Sequence, residues 1–182
     1  TGKWFALEHW GVQPDILSLA KAITSAYIPM GAFLVSREIH EALLDLPPDA
    51  RFMHAYTNSA HPAASAVGLR NLQIFEDEHL VERAALLGAR LDAGLRTALG
   101  DHPHVTNIRS LGLIAGLSLV RNAATNEAYD ATEGVGGRVA RHLREHGQVI
   151  TRFVGDQLVF APPLVSSEDD IDFLVQATAT AL

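Results

Sequence analysis

Short apolar runs, punctuated by Pro and Gly, alternate with helix-length segments along the whole 182-residue chain, and this alternation restricts the fold most. Residues 15–20 and 31–36 have the length and composition of buried strands. The connection between them is flecked with polar residues and ends in a Pro29 turn. Residues 37–45 read as a short helix, stopped by Pro47 and Pro48. Pro62 opens a helix at its first turn, and Ala63, Ala64, Ala66 and Gly68 give it a face of small residues suited to close packing. Glu76 to Glu78 breaks that helix, and a second one runs to Leu99 before Gly100. Asp101-His102-Pro103-His104 reads as a linker and as the best domain boundary. Beyond it, 105–109 and 113–120 read as strands around Gly112, and 131–146 as a helix ending before Gly147. Gln148–Thr151 and Gln157–Phe160 suit a hairpin turning at Gly155-Asp156. Gly134-Val135-Gly136-Gly137 reads as a loop. Ser166 or Ser167 caps a last helix that carries Glu168, Asp169 and Asp170 in its first turn. Helix and strand mix throughout, so the class is α/β or α+β, without internal repeats.

Composition removes several functions. Hydrophobic residues make up 48% of the chain, enough for a packed core. The net charge of −7 argues against a nucleic-acid or anionic-membrane surface. The absence of cysteine excludes disulfides, thiolate catalysis and Cys-based zinc sites. No apolar stretch is long enough for a membrane span, no signal peptide is visible, and the expected compartment is the cytoplasm. The chain opens on Thr1-Gly2-Lys3 and is read as a piece of something longer.

Four groups of residues could carry chemistry. Lys21 is one of only two lysines and stands at the end of an apolar run. A partly desolvated amine at the end of a buried strand is a candidate nucleophile toward carbonyls. The simpler reading is that Lys21 begins a helix and points into water. His54-Ala55-Tyr56-Thr57-Asn58-Ser59-Ala60-His61-Pro62 gathers hydroxyls and backbone N–H groups at a helix start, where a phosphate is favoured. Plain capping by Ser59 or Asn58 is the alternative. His142 and His146, at i and i+4, fit a zinc-hydrolase pattern but have no third ligand, and a helix C-terminus favours His without any metal. No metal is expected. Arg152 offers a planar fork for a carboxylate, or a surface ion pair with Asp156 or the last helix.

Taken in order, these segments resemble one family. Thr1-Gly2-Lys3, Pro14-Asp15-Ile16 with Ala20-Lys21, Pro29-Met30-Gly31-Ala32, Thr57 with His61-Pro62, Arg109-Ser110-Leu111-Gly112-Leu113, and Arg152 with Pro162-Pro163-Leu164 together resemble class III pyridoxal-phosphate aminotransferases. The resemblance spans nearly the whole chain. It implies an α/β fold: part of a fold type I large domain, residues 1–100, followed by a small α+β C-terminal domain, residues 101–182. It implies pyridoxal 5'-phosphate as cofactor, held through a Schiff base by Lys21, the catalytic residue. Thr57 matches the threonine that reaches the cofactor phosphate of the neighbouring subunit. Arg152 matches the arginine that holds a substrate carboxylate. The implied reaction moves an amino group from an amine or ω-amino acid to a keto acid, pyruvate by expectation, in a homodimer. Tyr27 and Phe153 are candidates for the substrate-pocket wall. The sequence departs from the family at Ala22 and Ala26, where Gly is usual; a methyl there is tolerated if the local φ is negative. The family's acidic partner for the pyridine nitrogen is expected upstream of Thr1. The alternative is an inactive fragment or dimerisation piece without stable cofactor binding.

Overall fold

The computed structural model describes residues 1–182 and divides them into two compact units, Leu7–His79 and Thr1–Ala6 with Leu80–Leu182.

In the first unit, β1 (Ile16–Ala20) pairs antiparallel with β2 (Gly31–Val35) in the register Ile16 to Val35 and Ala20 to Gly31. The two strands form a sheet of their own. Both were expected to be buried; instead Ile16, Phe33 and Leu34 are exposed, because a lone two-stranded ribbon has no layer over its apolar residues. Helix α1 (Arg37–Leu44) starts where the Ser36 hydroxyl accepts from the Ile39 N–H. Helix α2 (Pro62–Asp77) has Pro at its first position, as its fixed φ favours. The small face expected on α2 is used: Ala64 and Gly68 are buried, and a Cβ on Gly68 would lie 3.2 Å from the Met30 sulfur.

The second unit holds the main core. Helix α3 (Leu80–Leu99) buries Leu80, Ala84, Leu87, Leu91, Leu95 and Leu99 along one stripe, the spacing of one helix face. Strands β3 (Val105–Leu111), β4 (Ile114–Leu119), β5 (Arg152–Val154) and β6 (Gln157–Phe160) form an antiparallel sheet in the order β3-β4-β6-β5. Helices α4 (Val135–Glu145) and α5 (Glu168–Ala181) pack against each other, and α3 packs on both α5 and β3. Leu91, Leu95, Leu117, Leu143, Leu158, Phe160 and Ile171 are almost completely buried where helices meet sheet. Ser167 and Asp170 form a reciprocal capping box that starts α5. Arg90 of α3 donates to both carboxylate oxygens of Asp172 and to Glu168, tying α3 to α5.

Three expectations fail here for identifiable reasons. The first strand of the last hairpin is Arg152–Val154 rather than 148–151. Gln148 has φ +54 and the Val149 N–H bonds to the Leu143 carbonyl, so this stretch closes α4 instead of pairing. Gly136 and Gly137 belong to α4 rather than to a loop. A Cβ on Gly136 would sit 2.2 Å from the Gly155 oxygen, and its N–H donates to Asp156, so the helix start rests directly on the hairpin turn. The 131–146 helix is likewise split: a short 3-10 turn capped by Asp130 ends at Gly134, which takes φ +56.

Candidate active site

Lys21 follows the last residue of β1 and opens a 3-10 turn, Lys21–Ile23. It therefore lies at a strand end, but exposed, not partly desolvated as expected, because the ribbon beneath it is uncovered. No ion pair or side-chain hydrogen bond engages its amine. The backbone around it is strained. Lys21 has φ +57, Ser25 +47 and Ala26 +63, and none of these is glycine. The condition for tolerating a methyl is thus met at Ala22 and not at Ala26.

Helix α2 supports this turn. Asn71 donates through Nδ2 to the Ala22 carbonyl at 2.8 Å and the Ile23 carbonyl at 3.2 Å. Its Oδ1 accepts from the Ser25 hydroxyl at 2.8 Å. Thr24, 2% exposed, donates its hydroxyl to the Ile28 carbonyl at 2.7 Å. Tyr27 is 87% exposed. Sequence reasoning passed over Asn71. The only available signal was a polar side chain three residues after Gly68, on the small-residue face.

Thr57 lies in the turn just before α2, in the same unit as Lys21. Neither Ser59 nor Asn58 caps α2. The cap position is His61, with no side-chain hydrogen bond, and the Ser59 hydroxyl accepts from the Tyr56 N–H instead. The helix start therefore keeps first-turn N–H groups without a side-chain acceptor, four residues after Thr57. A cavity of about 490 Å³ opens here, lined by Met30, Tyr56, Asn58, Ser59, His61 and Ser65.

Arg152 belongs to the other unit and starts β5, opposite Val159. Its guanidinium is exposed and joins no ion pair, so neither Asp156 nor the last helix neutralises it. Phe153, half exposed, faces Gly137, whose added Cβ would lie 3.3 Å from the ring. No hydrogen bond or ion pair joins Lys21 to Thr57. The His142 and His146 rings are 4.7 Å apart, and no third His, Asp or Glu completes a metal-holding group with them.

Within the first unit, a free amine that suits a carbonyl carbon and a helix start with unspent N–H groups that suits a phosphate are chemically compatible with pyridoxal phosphate.

Comparison with known proteins agrees. The aminotransferase class-III family model matches residues 1–182. An uncharacterized aminotransferase, YhxA, of Bacillus subtilis is 41% identical over 97% of this chain and 40% of its own length. A putrescine–pyruvate aminotransferase of Pseudomonas aeruginosa is 38% identical over 96% of this chain and 37% of its own. The crystal structure of an (S)-enantioselective omega-transaminase from Thermomicrobium roseum matches the whole chain with a TM-score of 0.90 and 40% identity, over 40% of its own chain. That of an omega-transaminase from Pseudomonas jessenii in complex with PMP gives 0.91 and 40%, over 40% of its own chain. This chain thus spans about two fifths of the length of the curated relatives it matches and has the α/β architecture of fold type I pyridoxal-phosphate enzymes. No helix is long and apolar enough to cross a membrane. On sequence and structure alike, the chain belongs to the class III aminotransferases, a family that uses pyridoxal phosphate.

Proposed function

We propose that the complete protein carrying this chain transfers an amino group from an amine or ω-amino acid to a keto acid such as pyruvate, with Lys21 as the catalytic amine. The observation that carries this reading is the exposed, unpartnered Lys21 amine on a strained turn at the end of β1. Pyridoxal phosphate, when bound, supplies an electron sink for the pair left when a substrate C–H bond breaks.

The residues act on that chemistry as follows. The Lys21 amine holds the cofactor covalently. When free, that amine would accept the proton that leaves the substrate's α-carbon. The Thr57 hydroxyl and the start of α2 donate to the phosphate of the neighbouring subunit of a homodimer. Arg152 pairs with the carboxylate of the keto acid through its fork of N–H donors. Residues 1–100 belong to the large domain and 101–182 to the small one, with α3 packed on the small domain's α5 and β3, and the enzyme works in the cytoplasm.

Steady-state kinetics test these roles. Lys21→Ala should abolish amino transfer. Arg152→Ala should raise KM for the keto acid at least 10-fold, as loss of a charge-assisted pair requires at about 1.5–3 kcal/mol, and leave KM for an uncharged amine donor unchanged. Equal KM for the keto acid in wild type and Arg152→Ala removes Arg152 from the site.

The uncovered ribbon favours a second reading for the 182-residue chain by itself. Ile16, Phe33 and Leu34 are exposed on the ribbon that ends at Lys21, so a chain without covering layers holds cofactor weakly or not at all. Dialysis of the purified chain after mixing with pyridoxal phosphate tests this; a stable one-to-one complex would overturn it.

A further inference from the structure

We infer that Asn71 is a positioning residue for Lys21, holding the turn that carries the amine in its left-handed conformation. The inference rests on Lys21 being the cofactor-binding amine.

Three of the six residues from Lys21 to Ala26 have φ between +47 and +63, and all three carry a side chain. Such a cluster persists only where its surroundings over-determine it. The surroundings here are specific. All three of the Asn71 hydrogen bonds described above go to this turn, and two of their acceptors are the carbonyls immediately after Lys21. The orientation of the amide is fixed by this chemistry. A flipped side chain would set Oδ1 against two carbonyl oxygens, which offer no proton. Gly68, three residues earlier on the same helix, lets the turn approach: its Cβ position lies 3.8 Å from the Ile23 oxygen and 3.2 Å from the Met30 sulfur. Thr24, anchored on the Ile28 carbonyl, closes the other side. Helix α2 therefore holds the backbone that directly follows Lys21 through one side chain. Loss of that side chain releases φ to the ordinary negative range and swings the amine away from the end of β1.

The experiment measures covalent attachment of pyridoxal phosphate to each lysine in the complete apo protein, by borohydride quenching and peptide mass spectrometry over time. Lys3, the other lysine of this chain, is the internal reference, since a general loss of folding alters both lysines. Asn71→Asp keeps the shape and removes the donors; Asn71→Ala removes all three bonds. Both should slow Lys21 labelling about 10-fold or more against an unchanged Lys3 rate, as loss of two hydrogen bonds implies. Ser25→Ala removes one bond with less risk to folding and should slow it about 3-fold. Adding Ala26→Gly to Asn71→Ala should restore part of the rate, because glycine holds a positive φ unaided. A rate ratio of Lys21 to Lys3 equal to wild type in Asn71→Asp and Ser25→Ala overturns the inference and leaves the Lys21 assignment standing. Absence of Lys21 labelling in the wild type overturns the Lys21 assignment itself, and the role of Asn71 with it.

Discussion

Two glycines on α3 form a matched pair whose substitution separates backbone crowding from helix propensity. Gly88 and Gly94 both lie inside the helix, so Gly→Ala at either gains about 1 kcal/mol of helix propensity. Their neighbours differ. A Cβ on Gly88 would lie 2.2 Å from the Gly112 carbonyl carbon and 2.4 Å from its Cα. Gly112 cannot retreat, because it has φ +57 in the β3–β4 turn and its own Cβ position is 2.6 Å from Thr1 backbone. A Cβ on Gly94 meets only the Val175 side chain, at 3.0 Å. Overpacking against fixed backbone costs about 3 kcal/mol, the upper end of the usual range. Gly88→Ala therefore loses about 2 kcal/mol net, while Gly94→Ala stays within about 0.5 kcal/mol of wild type. For a chain of this size the difference is about 4–8 °C in the thermal midpoint. Circular dichroism melts of the two variants under identical conditions give the answer. A Gly88→Ala midpoint equal to or above that of Gly94→Ala refutes the close approach of α3 to the β3–β4 turn.

Two further outcomes are expected. Ala26→Gly relieves a left-handed residue and should raise stability by about 1 kcal/mol; a lower midpoint would place Ala26 outside the left-handed region. Acid should weaken the contacts of α3 with α5 and with β3. The Arg90 hydrogen bond holds the Asp172 carboxyl below its usual range, and hydrogen bonds from Arg96 and then Ser110 do the same for Asp92. A depressed folded value means that this stabilisation is fully present above the unfolded value of about 3.9 and lost as pH falls through the folded one. Thermal midpoints should therefore fall below about pH 4, and Asp172→Asn should flatten part of that fall; an unchanged slope in the variant contradicts the pairing.

Much of the fold was legible because it rests on local chemistry. Pro62 starts α2, Ser167 caps α5, and the leucine spacing of α3 marks its buried face. The misreadings have non-local causes. The Gly136-Gly137 pair looked like a loop because its reason for being glycine is the hairpin turn at Gly155, nineteen residues beyond Gly136. The last hairpin slipped because Gln148 takes a left-handed φ, which its sequence does not announce. At the proposed site, motif order points to Lys21, Thr57 and Arg152, whereas nothing in the sequence points to Asn71. A polar residue inside a helix has no local signature of what it holds, and its partners lie 46 to 49 residues away in sequence. Burial at Lys21 was also misjudged, since strand composition indicates what a strand is suited to, not what covers it.

The central claim is that Lys21 is the amine that binds the cofactor. The most direct measurement is peptide mass spectrometry of the complete holo protein after borohydride reduction. The account predicts a phosphopyridoxyl mass on the peptide containing Lys21, at one per chain, and none on that peptide in Lys21→Ala. Stoichiometric label on another lysine, with Lys21 unmodified, would contradict it.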